Sequence, residues 1–290
     1  SIGQAVGAGN KKQAAADIGN TVTLFMGVSV ALTVILLLLR RPIVSVMSTP
    51  SEAVSGTVDY LTVCFIGIPF ITAYNIISSI FRGMGDSKSP MYFIAVACAV
   101  NIGLDCLFMG AMNLGPAGAA LGTTLSQAVS VFVALAVIRK RKTDIPYSKG
   151  DLRPQRAVMS KLLKIGVPIA LQDGFVQIAF IVITVIVNHR GLNDAAAVGI
   201  VEKIIGFLFL VPSSMLSAVS ALGAQNIGAN KPERAISTLR YAVIITVCFG
   251  AAVSLLMQFA SESVVALFTD PATADGAQVI RLGGQYMRGY

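Results

Sequence analysis

Two polar side chains, Asn101 and Asp105, lie four residues apart inside a long apolar run. At this spacing they share one face of a helix, where they offer a carboxamide oxygen and a carboxylate. Hard cations prefer oxygen ligands, and burial disfavours an ionised carboxylate, which suits a group that carries a proton. Thr123 in the next apolar run could add a hydroxyl. The three residues predict a cation or proton site, and the alternative is a hydrogen bond that only fastens two helices.

A second group of polar side chains lies in two later apolar runs. Asp173 is about 13 Å from one edge of its run, and Glu202 and Lys203 are about 11 Å from the opposite edge of the next. Across a hydrocarbon core of about 30 Å these levels nearly meet. An Asp173–Lys203 ion pair would explain both charges and leave Glu202 for a cation or for Arg288. The candidate polar site comprises Asp173, Glu202, Lys203, Gln172 and Gln177, and a role in coupling or cargo contact and a purely structural role are both open.

The composition defines the class of protein that holds these side chains. Of 290 residues, 55% are hydrophobic and 12% are charged, and the mean hydropathy is +0.76. A soluble domain could not bury so much apolar surface in one core, and the charged share is about half of the usual value. The four cysteines are scattered through apolar runs, whereas a disulfide framework or zinc site needs clustered cysteines. The composition therefore excludes soluble enzymes, disordered chains and disulfide-stapled secreted domains.

Seven apolar runs are long enough to cross a bilayer, which needs about 20 residues of helix. They cover residues 18–39, 56–81, 90–112, 116–138, 160–188, 195–222 and 236–260, and an eighth run begins at 276. Pro69, Pro168 and Pro212 fall within runs and predict kinks, because neighbouring groups in membrane helices satisfy the freed carbonyls. We therefore expect an all-α, polytopic transmembrane helix bundle.

The basic residues predict the orientation of the bundle. The net charge is +8. About sixteen Lys and Arg residues lie in one set of alternate connections and about three in the other, and the richer set faces the cytoplasm. The predicted cytoplasmic loops are 1–17, 82–89, 139–157 and 223–235. The basic stretch 139–157 is interpreted as a flexible linker between two bundles, and its charge as a topology signal with anionic-lipid contact rather than a nucleic-acid site.

A short motif recurs at a distance of 221 residues. Gln4-Ala5-Val6-Gly7-Ala8 returns as Gln225-Asn226-Ile227-Gly228-Ala229, and the same shift places Pro50 on Pro271. Parallel repeats of this kind build transporters from two similar halves. We expect an N-terminal lobe in 1–138 (spans three to six), the linker 139–157, and a C-terminal lobe in 158–290 (spans seven to nine and the start of ten). The repeat predicts a complete protein of about 440 residues with twelve spans, of which this chain is a fragment lacking both ends.

Four stretches together carry a family resemblance. QAVGAGNKKQA, PFITAYNIISSIFRGMGDSKSP, NIGLDCLFMGAMNLGPAGAALGTTLSQ and GAQNIGANKPERA resemble the multidrug and toxic compound extrusion (MATE) family, and most closely its DinF-like bacterial branch. The resemblance implies two six-helix lobes, a central cavity and drug export in exchange for H⁺ or Na⁺. It places Asn101, Asp105 and Thr123 on the motif positions of the family's N-terminal-lobe cation site, which holds H⁺ or Na⁺. The family's acid on span seven falls at Val176 in this chain.

The predicted function is secondary active antiport of drugs by alternating access in a bacterial inner (plasma) membrane. The expected partners are small organic cations and membrane lipids, with no nucleic acid, and the coupling ion stands in place of any cofactor. We expect a monomer. The alternative is a lipid-linked oligosaccharide flippase of the same superfamily. A membrane enzyme would need an Asp-rich metal motif or a His/Ser constellation, which the sequence lacks, so we predict a protein that is not an enzyme.

Overall fold

The computed structural model describes residues 1–46, 53–140, 149–271 and 273–289, and nearly all of them are helical. A π-helical turn, Cys106–Ala111, follows the fourth helix directly, and a 3₁₀ turn covers Lys149–Leu152. The α-helices are α1 (Ile2–Gly7), α2 (Lys11–Val46), α3 (Val54–Gly83), α4 (Lys88–Asp105), α5 (Gly115–Lys140), α6 (Arg156–Asn188), α7 (Leu192–Leu208), α8 (Leu210–Gly228), α9 (Pro232–Val265) and α10 (Ala274–Gly289).

Seven helical segments of the described chain are long and apolar enough to cross a membrane. They are Lys11–Ser45, Val54–Gly83, Lys88–Ala111, Gly115–Lys140, Arg156–Val187, Asn193–Gly228 and Pro232–Val265. Each contains or closely overlaps one of the seven predicted runs, which confirms the all-helical membrane bundle. The sixth span is formed by α7 and α8, which are interrupted at Phe209. Pro212 explains the interruption, because it has no N–H to donate to the carbonyl of Leu208.

The described chain divides into two compact units, of which the first covers Ser1–Leu162 together with Ala224–Asn230. Within it α3 packs against α2 and α5, and α5 also packs against α4. Its apolar core contains Ile77, Phe81, Phe93, Val131 and Ala134. The rings of Phe81 and Phe93 meet edge to face with centroids 5.5 Å apart, a favoured aromatic geometry. This packing holds α4 and α5 side by side, and these two helices carry the first candidate site.

The second unit covers Leu163–Gly223 and Lys231–Tyr290. In it α10 packs between α7 and α9. The buried core is formed by Val201, Ile204, Ile205, Met257, Val265 and Met287. Helix α6 contributes no buried residue to the apolar window of its span, so its polar side chains are not covered by the described helices.

The second half of the predicted flexible linker is anchored on α2. The hydroxyl of Thr23 donates to the carbonyl of Leu152 over 2.9 Å, and the amide of Gln155 donates to Oδ1 of Asn20 over 2.6 Å. The main chain of Asp151 lies directly against Gly19, where a side chain would collide with it. Because α2 offers a gap and two polar partners, residues 149–155 dock there rather than extending freely. Residues 141–148 of the predicted linker lie outside the described residues.

Candidate functional site

The structure brings Asn101 and Asp105 together at the end of α4. Nδ2 of Asn101 donates to Oδ1 of Asp105 over 3.3 Å, and both residues are half-buried. The contact is the one expected for side chains four residues apart on a helix. Asp105 is the last residue of α4, and the chain continues directly into the π-helical turn.

Gly122 of α5 faces this pair. A Cβ atom on Gly122 would overlap Oδ1 of Asp105 and would lie 3.3 Å from its Cγ. The same Cβ would lie 3.5 Å from Nδ2 of Asn101. The carboxylate therefore crosses from α4 to touch the main chain of α5, as it could not if residue 122 had a side chain.

The predicted third member of the site, Thr123, directly follows Gly122. Its side chain is exposed, and its carbonyl accepts a 2.8 Å hydrogen bond from Ser126. The hydroxyl of the adjacent Thr124 donates instead to the carbonyl of Val63 on α3 over 3.4 Å. Among the described residues, Asp105 thus bonds to Asn101 while the Thr123 side chain is exposed, and α5 approaches the carboxylate through Gly122.

The π-helical turn beside Asp105 was not predicted by the sequence analysis. It is followed by two residues with a left-handed φ, Asn113 (φ 52°) and Gly115 (φ 55°), and Gly115 is the first residue of α5. A Cβ atom on Gly118 would lie 3.1 Å from Cβ of Phe108 in the turn. The Gly118–Gly122 spacing is typical of close helix packing, and both glycines are in tight contact with their neighbours. The spacing does not reveal that the neighbour of Gly122 is a carboxylate. Single π turns inside α-helices occur frequently at functional sites.

The second predicted polar group is not assembled into one cluster. Asp173, Gln172 and Gln177 are exposed on α6, and Lys203 is exposed on α7. The expected Asp173–Lys203 ion pair is not formed among the described residues, and both side chains are exposed.

The ion pair that the second unit does form joins α9 to α10. Nη2 of Arg288 lies 2.9 Å from Oε1 of Glu262, and Nε of Arg288 donates to Ser261 over 3.1 Å. Arg288 therefore pairs with Glu262 rather than with Glu202. Oε1 of Glu202 is buried in the described structure without a hydrogen-bond partner, which leaves an ionisable membrane residue available for another role.

A cavity of about 260 Å³ lies in the second unit between α7, α8, α9 and α10. Its wall is mainly apolar, with polar atoms at a few points, as in pockets that hold small molecules. The aromatic, methionine and polar lining residues include Phe209, Phe249, Met257, Met287, Gln258 and Arg288.

Three predicted cytoplasmic segments, 1–17, 82–89 and 223–235, meet in the first unit. The repeated motifs contact each other, since a Cβ atom on Gly7 would overlap the carbonyl of Gln225 and one on Gly228 would overlap the carbonyl of Gln4. Nε2 of Gln225 also donates to the carbonyl of Gly83 over 2.8 Å. Nζ of Lys161, which lies in α6 beyond the end of segment 139–157, is 3.4 Å from Oε1 of Gln4.

Comparisons with known proteins agree with this arrangement. The chain is 31% identical over 274 residues to the probable multidrug resistance protein YoeA of Bacillus subtilis, covering 92% of this chain and 59% of that protein. It is 26% identical over 251 residues to the multidrug export protein MepA of Staphylococcus haemolyticus, covering 86% of this chain and 55% of the relative. The chain therefore spans a little over half the length of these two curated relatives.

The fold is also that of solved transporters. A MOP superfamily transporter from Pyrococcus furiosus superposes with a TM-score of 0.89 at 24% identity, covering 99% of this chain and 64% of that one. The family model described as MatE matches residues 1–107 and 168–290, which is most of the sequence. The matched residues include Asn101 and Asp105, both halves of the repeat and most of the membrane spans. The chain thus belongs to the MatE family, a family of membrane transporters and not of enzymes.

Proposed function

We propose that this chain carries out secondary active antiport, in which drugs leave the cell in exchange for H⁺ or Na⁺ by alternating access. The family match and the multidrug relatives support export of small organic cations. Two copies of one motif in a membrane bundle suit a transporter whose halves rearrange around a substrate path. The expected location is the inner membrane of a bacterium.

The observation that carries the proposal is the Asn101–Asp105 pair. A carboxylate inside a membrane span costs at least about 2.5 kcal/mol unless it is neutralised by a proton, a cation or a partner. Asp105 accepts a hydrogen bond from the neutral amide of Asn101, which orients the carboxylate without cancelling its charge. A proton or a Na⁺ ion would cancel it, and carboxylate, amide and hydroxyl oxygens are suitable Na⁺ ligands.

We assign the coupling site to Asn101, Asp105 and Thr123. The first two lie in hydrogen-bond contact, and Thr123 is the residue next to the Gly122 contact with Asp105. Binding of the ion then favours one access state because the ion interacts differently with the two states.

The second polar group is assigned to the same transport cycle. Glu202 has a buried carboxylate oxygen with no hydrogen-bond partner in the described chain, so it is the residue of this group that is most costly to keep for structure alone. The exposed side chains of Asp173, Lys203, Gln172 and Gln177 are open to a cationic cargo or to water.

The loops 1–17, 82–89, 139–157 and 223–235 are assigned to the cytoplasmic side. The positive-inside rule favours this orientation. The contacts among Gln4, Gly83 and Gln225 join three of these loops, and Lys161 of α6, the helix that follows 139–157, contacts Gln4. These contacts are consistent with a common side for the four loops.

The proposal is tested with the full-length transporter in proteoliposomes that carry an imposed Na⁺ or pH gradient, with ethidium as the transported cation. Asp105→Asn should abolish gradient-driven ethidium transport while the protein still accumulates in the membrane. The matched control is Asp59→Asn, the same change at an exposed position of α3, which should transport normally. Wild-type transport rates in Asp105→Asn would remove Asp105 from the mechanism.

A further inference from the structure

We infer that Gly122 is a positioning residue for Asp105: by having no side chain, it leaves the space that the carboxylate occupies. This inference rests on the proposed role of Asp105 in coupling. Oδ1 of Asp105 occupies the place of a Cβ atom on residue 122, and Cγ of Asp105 would be 3.3 Å from that atom. Gly122 is buried within α5 and has no left-handed φ. A glycine is therefore needed here for space, not for an unusual backbone conformation.

Helix α5 cannot simply move away to make room for a larger residue. On one side Gly118 packs on the π-helical turn, with its Cβ position 3.1 Å from Cβ of Phe108. On the other side Thr124 lies against α3, where a Cβ atom on Gly67 would be 2.7 Å from its Oγ1. The hydroxyl of Thr124 also donates to the carbonyl of Val63. Since close-packed neighbours hold α5 on both sides, a methyl group at position 122 must displace the carboxylate instead.

Displacement of the carboxylate would change the site chemically. Asp105 would turn away from α5, and its 3.3 Å hydrogen bond to Asn101 would be lost or re-formed in another geometry. Oxygen ligands act together only when they converge on one point, and a misplacement of about 1 Å can cost two orders of magnitude in function. Gly122 therefore sets the affinity of the site for its ion while making no bond to the ion itself.

The test compares three glycine-to-alanine variants of the full-length transporter in proteoliposomes. Gly122→Ala fills the space of Oδ1. Gly118→Ala introduces a milder tight contact four residues away, 3.1 Å from Cβ of Phe108, and Gly103→Ala adds a methyl group to α4 in open space. The measured quantities are the half-saturating concentration of the driving cation, Na⁺ or H⁺ as the wild type requires, and the maximal rate of ethidium transport.

Gly122→Ala should raise the half-saturating cation concentration at least about tenfold. Gly118→Ala and Gly103→Ala should leave it within about twofold of the wild type, even if Gly118→Ala lowers the amount of folded protein. An unchanged value in Gly122→Ala, or an equal rise in Gly118→Ala, would overturn the inference.

A second variant tests the inference even when the Gly122→Ala protein does not accumulate in the membrane. In the double variant Gly122→Ala with Asp105→Ser, the serine Oγ takes the place of Cγ, 3.3 Å from the new methyl group, and the overlapping oxygen is gone. Accumulation should then return to that of Asp105→Ser alone, and continued loss would show that the collision is not with Asp105. If the wild type shows no cation-driven transport, the proposed function fails, and the accumulation test still decides whether Gly122 and Asp105 collide.

Discussion

Gly7 lies directly against the main chain of Gln225: a Cβ atom on Gly7 would be 2.7 Å from the carbonyl carbon and 2.9 Å from Cα of Gln225. Gly228 meets Gln4 with the same two distances. Since the shift of 221 residues converts Gln4 into Gln225 and Gly7 into Gly228, the contact is reciprocal. Such a contact has the pairing of an isologous interface around an approximate two-fold axis, which supports the repeat as a structural one.

The reciprocal contact predicts that a side chain at Gly7 and one at Gly228 have equal effects on stability. Gly7→Ala and Gly228→Ala should each destabilise the protein by about 1–3 kcal/mol, because a methyl group must enter a contact between two main chains. Thermal unfolding of the purified protein measures the effect. Gly223→Ala is the control, since it lies in α8 with open space around its Cβ position. A melting temperature for Gly228→Ala equal to that of Gly223→Ala would contradict the reciprocal contact.

Replacement of Gln225 should loosen the turn after α3, which its side chain contacts. Its Nε2 donates to the carbonyl of Gly83, and its side chain covers Gly85, whose φ is +91°. Gln225→Glu keeps the shape but removes the donor, so it should cost about 0.5–1.5 kcal/mol. Hydrogen exchange of the amides of residues 84–86 should become faster. Unchanged exchange there, measured beside an unperturbed segment such as α9, would show that the bond does not hold the turn.

Asn20 should stabilise the linker segment 149–155 in its docked position on α2. Asn20 and Asn75 both donate to the carbonyl four residues earlier over 2.9 Å, but only Asn20 is fully buried and accepts a bond from Gln155. Asn20→Leu should leave the Gln155 amide without its acceptor, at a cost of about 1–3 kcal/mol. Trypsin should then cleave faster after Arg156, which precedes Ala157. Asn75→Leu is the matched control, and equal cleavage of the two variants would argue against docking through Asn20.

Glu202 predicts opposite changes in stability and transport. Glu202→Met keeps the length of the side chain and removes a buried oxygen that has no partner in the described structure, so the melting temperature should rise by the equivalent of about 1–3 kcal/mol. Transport should fall if the carboxyl group takes part in the cycle. Lys203→Met, at the exposed neighbouring position, controls for the change in hydropathy. A less stable Glu202→Met protein would mean that the carboxyl group has a structural partner.

Sequence alone determined the class of fold, the number of spans and one close polar pair. Seven apolar runs must become helices because lipid offers no partners for free backbone groups, and four residues of helix suffice to bring Asn101 to Asp105. The repeat was likewise visible as a shared spacing of Gln and Gly. The spans and the polar pair depend on local periodicity, which one stretch of chain contains in full. The repeat needs only a comparison of two stretches of the sequence.

Only the tertiary structure decided which side chains from different helices meet. It placed Gly122 rather than the Thr123 hydroxyl against Asp105, and Glu262 rather than Glu202 beside Arg288. Such contacts depend on the rotation of each helix about its axis, and successive residues differ by about 100° in direction. A change of one residue in a contact therefore changes its chemistry while leaving the hydropathy pattern intact, and no pattern in the sequence can fix it.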